Sequence, residues 1–206
     1  MTTHLALVVI SVLAFAGAGG MGARIGERLC ADVEPYADGP EPVAFAHWPF
    51  AAIAACIGGA IAWHETSPLH LAVLAVVTLA LAGATAADLR CGMLPDVLTL
   101  GPLALVVALG AASHDWTPAL GAAFVAVPFA FAALLSRGRG MGWGDVKLAA
   151  LGGALLGFAN AALAFMLAAL AAYLVARRSS GVRRPIAFGP YLAASIAASL
   201  TIVRTI

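Results

Sequence analysis

Apolar residues run along this chain in long blocks at roughly 5–23, 49–64, 69–87, 97–113, 118–135, 146–158, 160–176 and 186–203. A helix needs about 20 apolar residues to span the hydrocarbon of a bilayer. The pattern therefore predicts an all-α, polytopic membrane bundle of about eight segments, several of them short. Pro68, Pro118, Pro185 and Pro190 fall at breaks or first turns, where proline costs least. Asn160 is read as a turn between the sixth and seventh blocks. The span 24–48 is the one long polar connection. It holds Glu27, Asp32, Glu34, Asp38 and Glu41 among Pro35, Pro40 and Pro42, and is expected to be irregular.

Composition agrees with the pattern. Of 206 residues, 63% are hydrophobic and 10% charged, against about 25% charged in soluble domains. The length suits one domain, 1–206. A net charge of +1 gives no global field for nucleic acid. The three cysteines, Cys30, Cys56 and Cys91, form no C-x-x-C pair and no even-numbered framework. They are expected to be inert thiols, with neither a zinc site nor a disulfide scaffold. Met1–His4 carry no Lys or Arg, whereas Arg24 and Arg28 follow the first block. That reverses the charge order of a signal peptide, so the first block reads as a retained helix with its N-terminus outside.

Charge placement predicts orientation. With eight segments and the N-terminus outside, one set of loops carries Arg24, Arg28, Arg90, Arg137, Arg139, Lys147, Arg177, Arg178, Arg183 and Arg184, leaving Arg204 of the 11 basic residues on the opposite side. Basic loops face the cytoplasm. The same topology puts Asp88, Asp96 and Asp145 on the cytoplasmic side. Asp88 ends the third block and Asp145 begins the sixth.

A carboxylate at a membrane boundary is costly unless it has a role. Two of them suggest an aspartic protease, in which one ionised group activates water and one protonated group donates to the scissile carbonyl. Close carboxylates share a proton and titrate as a pair. Gly140, Gly142 and Gly144 offer a low-bulk backbone beside Asp145, and Pro95 favours extended geometry at Leu94, beyond Asp88. Lys147 could pair with a carboxylate or a lipid phosphate. Plainer readings compete: Asp145 as a helix N-cap, and Asp88 as the partner of Arg90 or another interfacial cation.

These residues resemble the type IV prepilin peptidases, membrane aspartic proteases of the G-x-G-D class. Gly140-Met141-Gly142-Trp143-Gly144-Asp145-Val146-Lys147 through Gly152 is similar to the family's second motif, and Asp88-Leu89-Arg90 through Leu94-Pro95-Asp96 to Leu100 to its first. Arg184-Pro185-Ile186-Ala187-Phe188-Gly189-Pro190 through Ala193 resembles the segment opening its last helix, and residues 17–29 a remnant of its N-terminal region. The resemblance implies that Asp88 and Asp145 are the catalytic pair, without a cofactor or metal. It implies removal of a short, basic, cytoplasmic leader from prepilin or pseudopilin subunits at the bacterial inner membrane, the active site facing the cytoplasm. Longer members carry paired C-x-x-C motifs and N-methylate the new N-terminus. Here the short loop 24–48 stands in that place with only Cys30, so a peptidase-only form is expected.

Asp96 and Glu27 are candidates for contact with the leader, beside the plainer reading of solvated loop charge. Arg177, Arg178, Arg183 and Arg184 read as lipid-headgroup anchors, and Trp48, Trp63, Trp116 and Trp143 as an interfacial belt. The histidines show no metal-ligand spacing. Gly58-Gly59 and Gly152-Gly153 suit close helix packing. Two other functions stay open: a small ion- or proton-coupled transporter, whose carboxylates would lie nearer the bilayer midplane, and a non-catalytic pilin-binding assembly protein.

Overall fold

The computed structural model describes residues 2–31, 46–136, 141–178 and 187–202. Among them the chain is all-helical, with seven helices: α1 Thr2–Leu29, α2 Trp48–Ala62, α3 Pro68–Cys91, α4 Asp96–Ala112, α5 Thr117–Leu135, α6 Trp143–Arg178 and α7 Gly189–Ile202. Four of these (α1, α3, α5 and α6) are long and apolar enough to cross a membrane, while α2, α4 and α7 are shorter apolar helices. Large apolar side chains such as Leu13, Phe124 and Leu163 face outward. An apolar exterior suits a lipid solvent, which needs backbone groups satisfied inside each helix and tolerates apolar surface.

Local chemistry sets the helix ends. Ser67, in extended conformation, accepts the His70 N–H on its side chain at 3.4 Å, and Pro68 follows at the first helical position of α3. Gly92 ends α3 in the left-handed region, φ 66°, and donates its N–H to the Asp88 carbonyl at 3.0 Å. Pro118 and Pro190 lie in the first turns of α5 and α7, as the sequence pattern predicts. Pro185 lies outside the described residues. Trp48, Trp63, Trp116 and Trp143 stand at helix ends and are exposed.

Three expectations need correction. The sixth and seventh blocks are two helical stretches, counted together as α6, and they meet at Gly157 (φ 71°, ψ 169°) rather than at Asn160. Only glycine adopts such a backbone readily. Asn160 stays helical, and its amide donates to the Leu156 carbonyl at 3.1 Å. Second, α1 continues to Leu29, so residues 24–29 of the supposed irregular loop are helical. The described connection thus shrinks, and residues 32–45 lie outside the description. Third, Cys30 and Cys91 form a disulfide, Cα atoms 6.1 Å apart, which ties the ends of α1 and α3. With a separation of 61 residues, only helix packing brings these sulfurs together, so spacing could not reveal the pair. Cys56 is free and exposed.

Small residues let the helices approach. A Cβ at Gly22 or Gly26 of α1 would run into the carbonyl oxygens of Leu79 or Gly83 on α3. A Cβ at Gly153 would lie 2.5 Å from the Gly121 carbonyl of α5. Without a strong hydrophobic drive between helices in lipid, such close van der Waals contact is what holds a bundle. Phe15, Val77, Leu148, Leu151, Leu192 and Ile196 fill the centre, each essentially without exposure. Gly58 backs onto Phe15, and Gly152 onto Phe165 and Ile196. α4 and α7 each pack against both α3 and α6, which brings the end of α3, with Asp88, and the starts of α6 and α7, with Asp145 and Gly189, to one region of the bundle.

Candidate active site

Asp88 lies in the last turn of α3 and Asp145 in the first turn of α6. Both are buried, at 5% and 8% exposure. Their surroundings share one side chain: Leu94 lies against both Gly144, next to Asp145, and Gly189, whose amide bonds Asp88. The two blocks that carry them are separated in sequence by α4 and α5, so it is the packing of α3 on α6's neighbours α4 and α7 that joins them.

Each carboxylate is held by a glycine amide. Gly142 N–H donates to Asp145 Oδ2 at 3.2 Å. Gly142 immediately precedes α6, and Asp145 is the third helical residue. This is the returning half of a capping box, in which an acidic side chain satisfies the first free amide of a helix. Asp145 therefore acts at the helix end from inside the first turn, not as the N-cap itself. Gly189 N–H, from the start of α7, donates to Asp88 Oδ2 at 3.0 Å. Asp88 is not paired with Arg90.

Glycine is required sterically here. A Cβ at Gly189 would lie 2.7 Å from Asp88 Oδ2 and 3.3 Å from Leu94 Cδ1. One at Gly144 would lie 2.7 Å from Leu94 Cβ and 2.9 Å from its Cδ1. Leu94 is thus a wedge between the start of α6 and the start of α7, set by the turn that Gly92 and Pro95 bracket. Gly140 lies outside the described residues.

The remaining predicted residues form two ion pairs. Arg90 pairs with Glu27, whose other oxygen contacts His47 Nε2 at 2.7 Å. This joins α1, α3 and the approach to α2 two residues from Asp88. Lys147 pairs with Asp96, tying the second turn of α6 to the first turn of α4. Asp96 is 61% exposed, Glu27 31%. Of the residues now seen at the carboxylates, sequence reasoning passed over Gly189. Its Phe188-Gly189-Pro190 context signals a helix start, but nothing local says which carboxylate its amide meets, 101 residues away. Among the described residues no group of three His, Cys, Asp or Glu side chains could hold a metal ion.

A bundle of apolar helices holds two buried carboxylates at helix ends that share the Leu94 contact. The profile of the type IV leader peptidase family matches residues 72–176, and the chain belongs to that family. The match takes in Asp88 and Asp145 and ends before Gly189. No curated protein matches the chain, and no solved structure does.

Proposed function

We propose that the protein is an aspartic endopeptidase that removes the short basic leader of prepilin or pseudopilin subunits, with Asp88 and Asp145 as its catalytic pair. The observation that carries this is a pair of buried carboxylates, on separate helices whose ends share the Leu94 contact, in a chain of the leader peptidase family. One carboxylate takes a proton from water as the water oxygen bonds to the scissile carbonyl carbon. The other gives its proton to the carbonyl oxygen. Collapse of the tetrahedral intermediate breaks the C–N bond: the proton held by the first carboxylate passes to the leaving amine, and the second carboxylate takes back a proton from the hydroxyl that becomes the new carbonyl. The roles belong to the pair and not to either residue.

Asp96 is the acidic group best placed to meet a basic leader, being the more open of the two candidates. Charge placement along the sequence supports an inner-membrane location with the pair facing the cytoplasm, where such a leader resides. Co-expression with a candidate prepilin, comparing wild type with Asp88→Asn and Asp145→Asn at equal membrane levels, tests the proposal. Leader removal by wild type alone is expected. Removal by either Asn variant would overturn the dyad.

A further inference from the structure

The C-terminal helix lies beyond the matched family segment, yet its first residue touches Asp88. Four observations bear on what it does there. The Gly189 N–H donates to Asp88 Oδ2 at 3.0 Å, as Gly142 N–H does to Asp145 Oδ2 at 3.2 Å. Among the described residues no donor reaches Oδ1 of either aspartate. The approach leaves no room for a side chain: a Cβ on residue 189 would sit 2.7 Å from the same carboxylate oxygen. Gly189 is itself buried, with α7's Leu192 and Ile196 packed in the core, so its amide has a fixed direction.

We propose that the backbone amide of Gly189 is a positioning group for the reaction: it fixes Asp88 through Oδ2, as Gly142 fixes Asp145, and turns Oδ1 of each carboxylate toward water and substrate. The inference rests on the peptidase reading for its consequence in turnover, but not for its effect on Asp88. An amide donor aimed at one oxygen removes the carboxylate's freedom to rotate. It also differentiates the two oxygens electrostatically, since a hydrogen bond to a charged group favours that form. The last helix thus completes a site whose other parts all lie between residues 88 and 145.

The decisive experiment deletes the N–H and adds no atom. Glycolic acid is placed at position 189 by nonsense suppression in the full chain, turning that amide into an ester. Lactic acid at Ala194, an exposed position within α7, gives the same chemical insult to the helix away from Asp88. Two readouts are taken. One is cleavage of a prepilin, with kcat, KM and the pH profile of kcat. The other is the rate at which dicyclohexylcarbodiimide labels Asp88 and Asp145 at one fixed pH, followed by mass spectrometry, which requires no activity.

The 189 ester is expected to lower kcat roughly tenfold, the scale of a charge-assisted hydrogen bond, with KM changed less than about twofold and the pH profile displaced. Asp88 labelling should change at least about threefold and Asp145 labelling should not, while the 194 ester leaves both as in wild type. Equal labelling of Asp88 in the 189 and 194 esters would overturn the inference. A wild type that cleaves no prepilin would count against the peptidase reading, and the labelling comparison would still decide the role of Gly189.

Discussion

Adding one methyl group at Gly144 should disable the site by a route that can be followed atom by atom. The Cβ of Gly144→Ala would lie 2.7 Å from Leu94 Cβ and 2.9 Å from Leu94 Cδ1. Carbon atoms rest at about 3.5 to 4.0 Å, so the contact must open by about 0.8 Å or more. Leu94 cannot retreat toward α7, because it already packs over Gly189. The first turn of α6 must shift instead, and Asp145 is the next residue. Overpacking of this size costs about 1–3 kcal/mol of stability. Displacing a reacting group by about 1 Å costs on the order of a hundredfold in rate. Prepilin cleavage by purified protein should therefore fall about 30- to 100-fold in kcat/KM. The atom in the way decides the rescue. Leu94→Ala keeps the offending Cβ and should restore little, whereas Leu94→Gly removes it and should recover most of the lost rate. Unchanged activity in Gly144→Ala, or equal rescue by the two second-site changes, would refute the wedge.

Further outcomes follow from other parts of the bundle. Gly157→Ala meets nothing within 4 Å, so its cost is purely conformational; unfolding in mixed micelles should show a loss of roughly 1–3 kcal/mol, and unchanged stability would mean the break in α6 is absent. Arg90→Ala separates a pair exposed at 36% and 31% and should cost less than about 1 kcal/mol; a larger loss in the same assay would make Glu27 a buried, uncompensated charge. In purified, air-equilibrated protein, an alkylating reagent should modify Cys56 alone until a reductant is added, then Cys30 and Cys91 as well, as read by mass spectrometry. Ser67 N–H bonds Glu65 at 2.7 Å and, with His70 helping, holds its carboxyl below the ordinary 4.5. A lowered value in the folded state gives stability present above about pH 4.5 and lost as pH falls. Glu65→Gln should thus lower the melting temperature slightly at neutral pH and not at about pH 2 to 3; equal shifts at both would show that the charge is irrelevant.

How far the sequence could be read depends on the range over which each signal acts. Apolar blocks and prolines report on one helix at a time, so α3, α5 and the starts of α4 and α7 are legible from the pattern. The aspartates stand out because a charge at the end of an apolar run has few reasons to be there. Asn160 attracted the break assigned to α6 because polar residues suggest turns, yet an asparagine can satisfy itself on a carbonyl one turn back, and the glycine three residues earlier bends instead. Partners far apart in sequence left no local trace. Cys30 meets Cys91, Glu27 meets Arg90, and Asp96 meets Lys147 only after the helices pack. The wedge of Leu94 is of the same kind: its neighbours are glycines whose significance lies in what they lack.

The hydrogen bond between Gly189 and Asp88 also carries a timetable. The chain is made from its N-terminus, and a further 101 residues must follow Asp88 before its donor exists. Throughout that interval the growing polypeptide shares the membrane with the hydrophobic segments of other nascent proteins. Both Asp88 and Asp145 are already synthesised by residue 145, but Asp88 has no glycine amide to aim it until α7 emerges and docks. On this architecture the donor to Asp88 arrives only with α7, so a copy that stops short of residue 189 lacks that hydrogen bond.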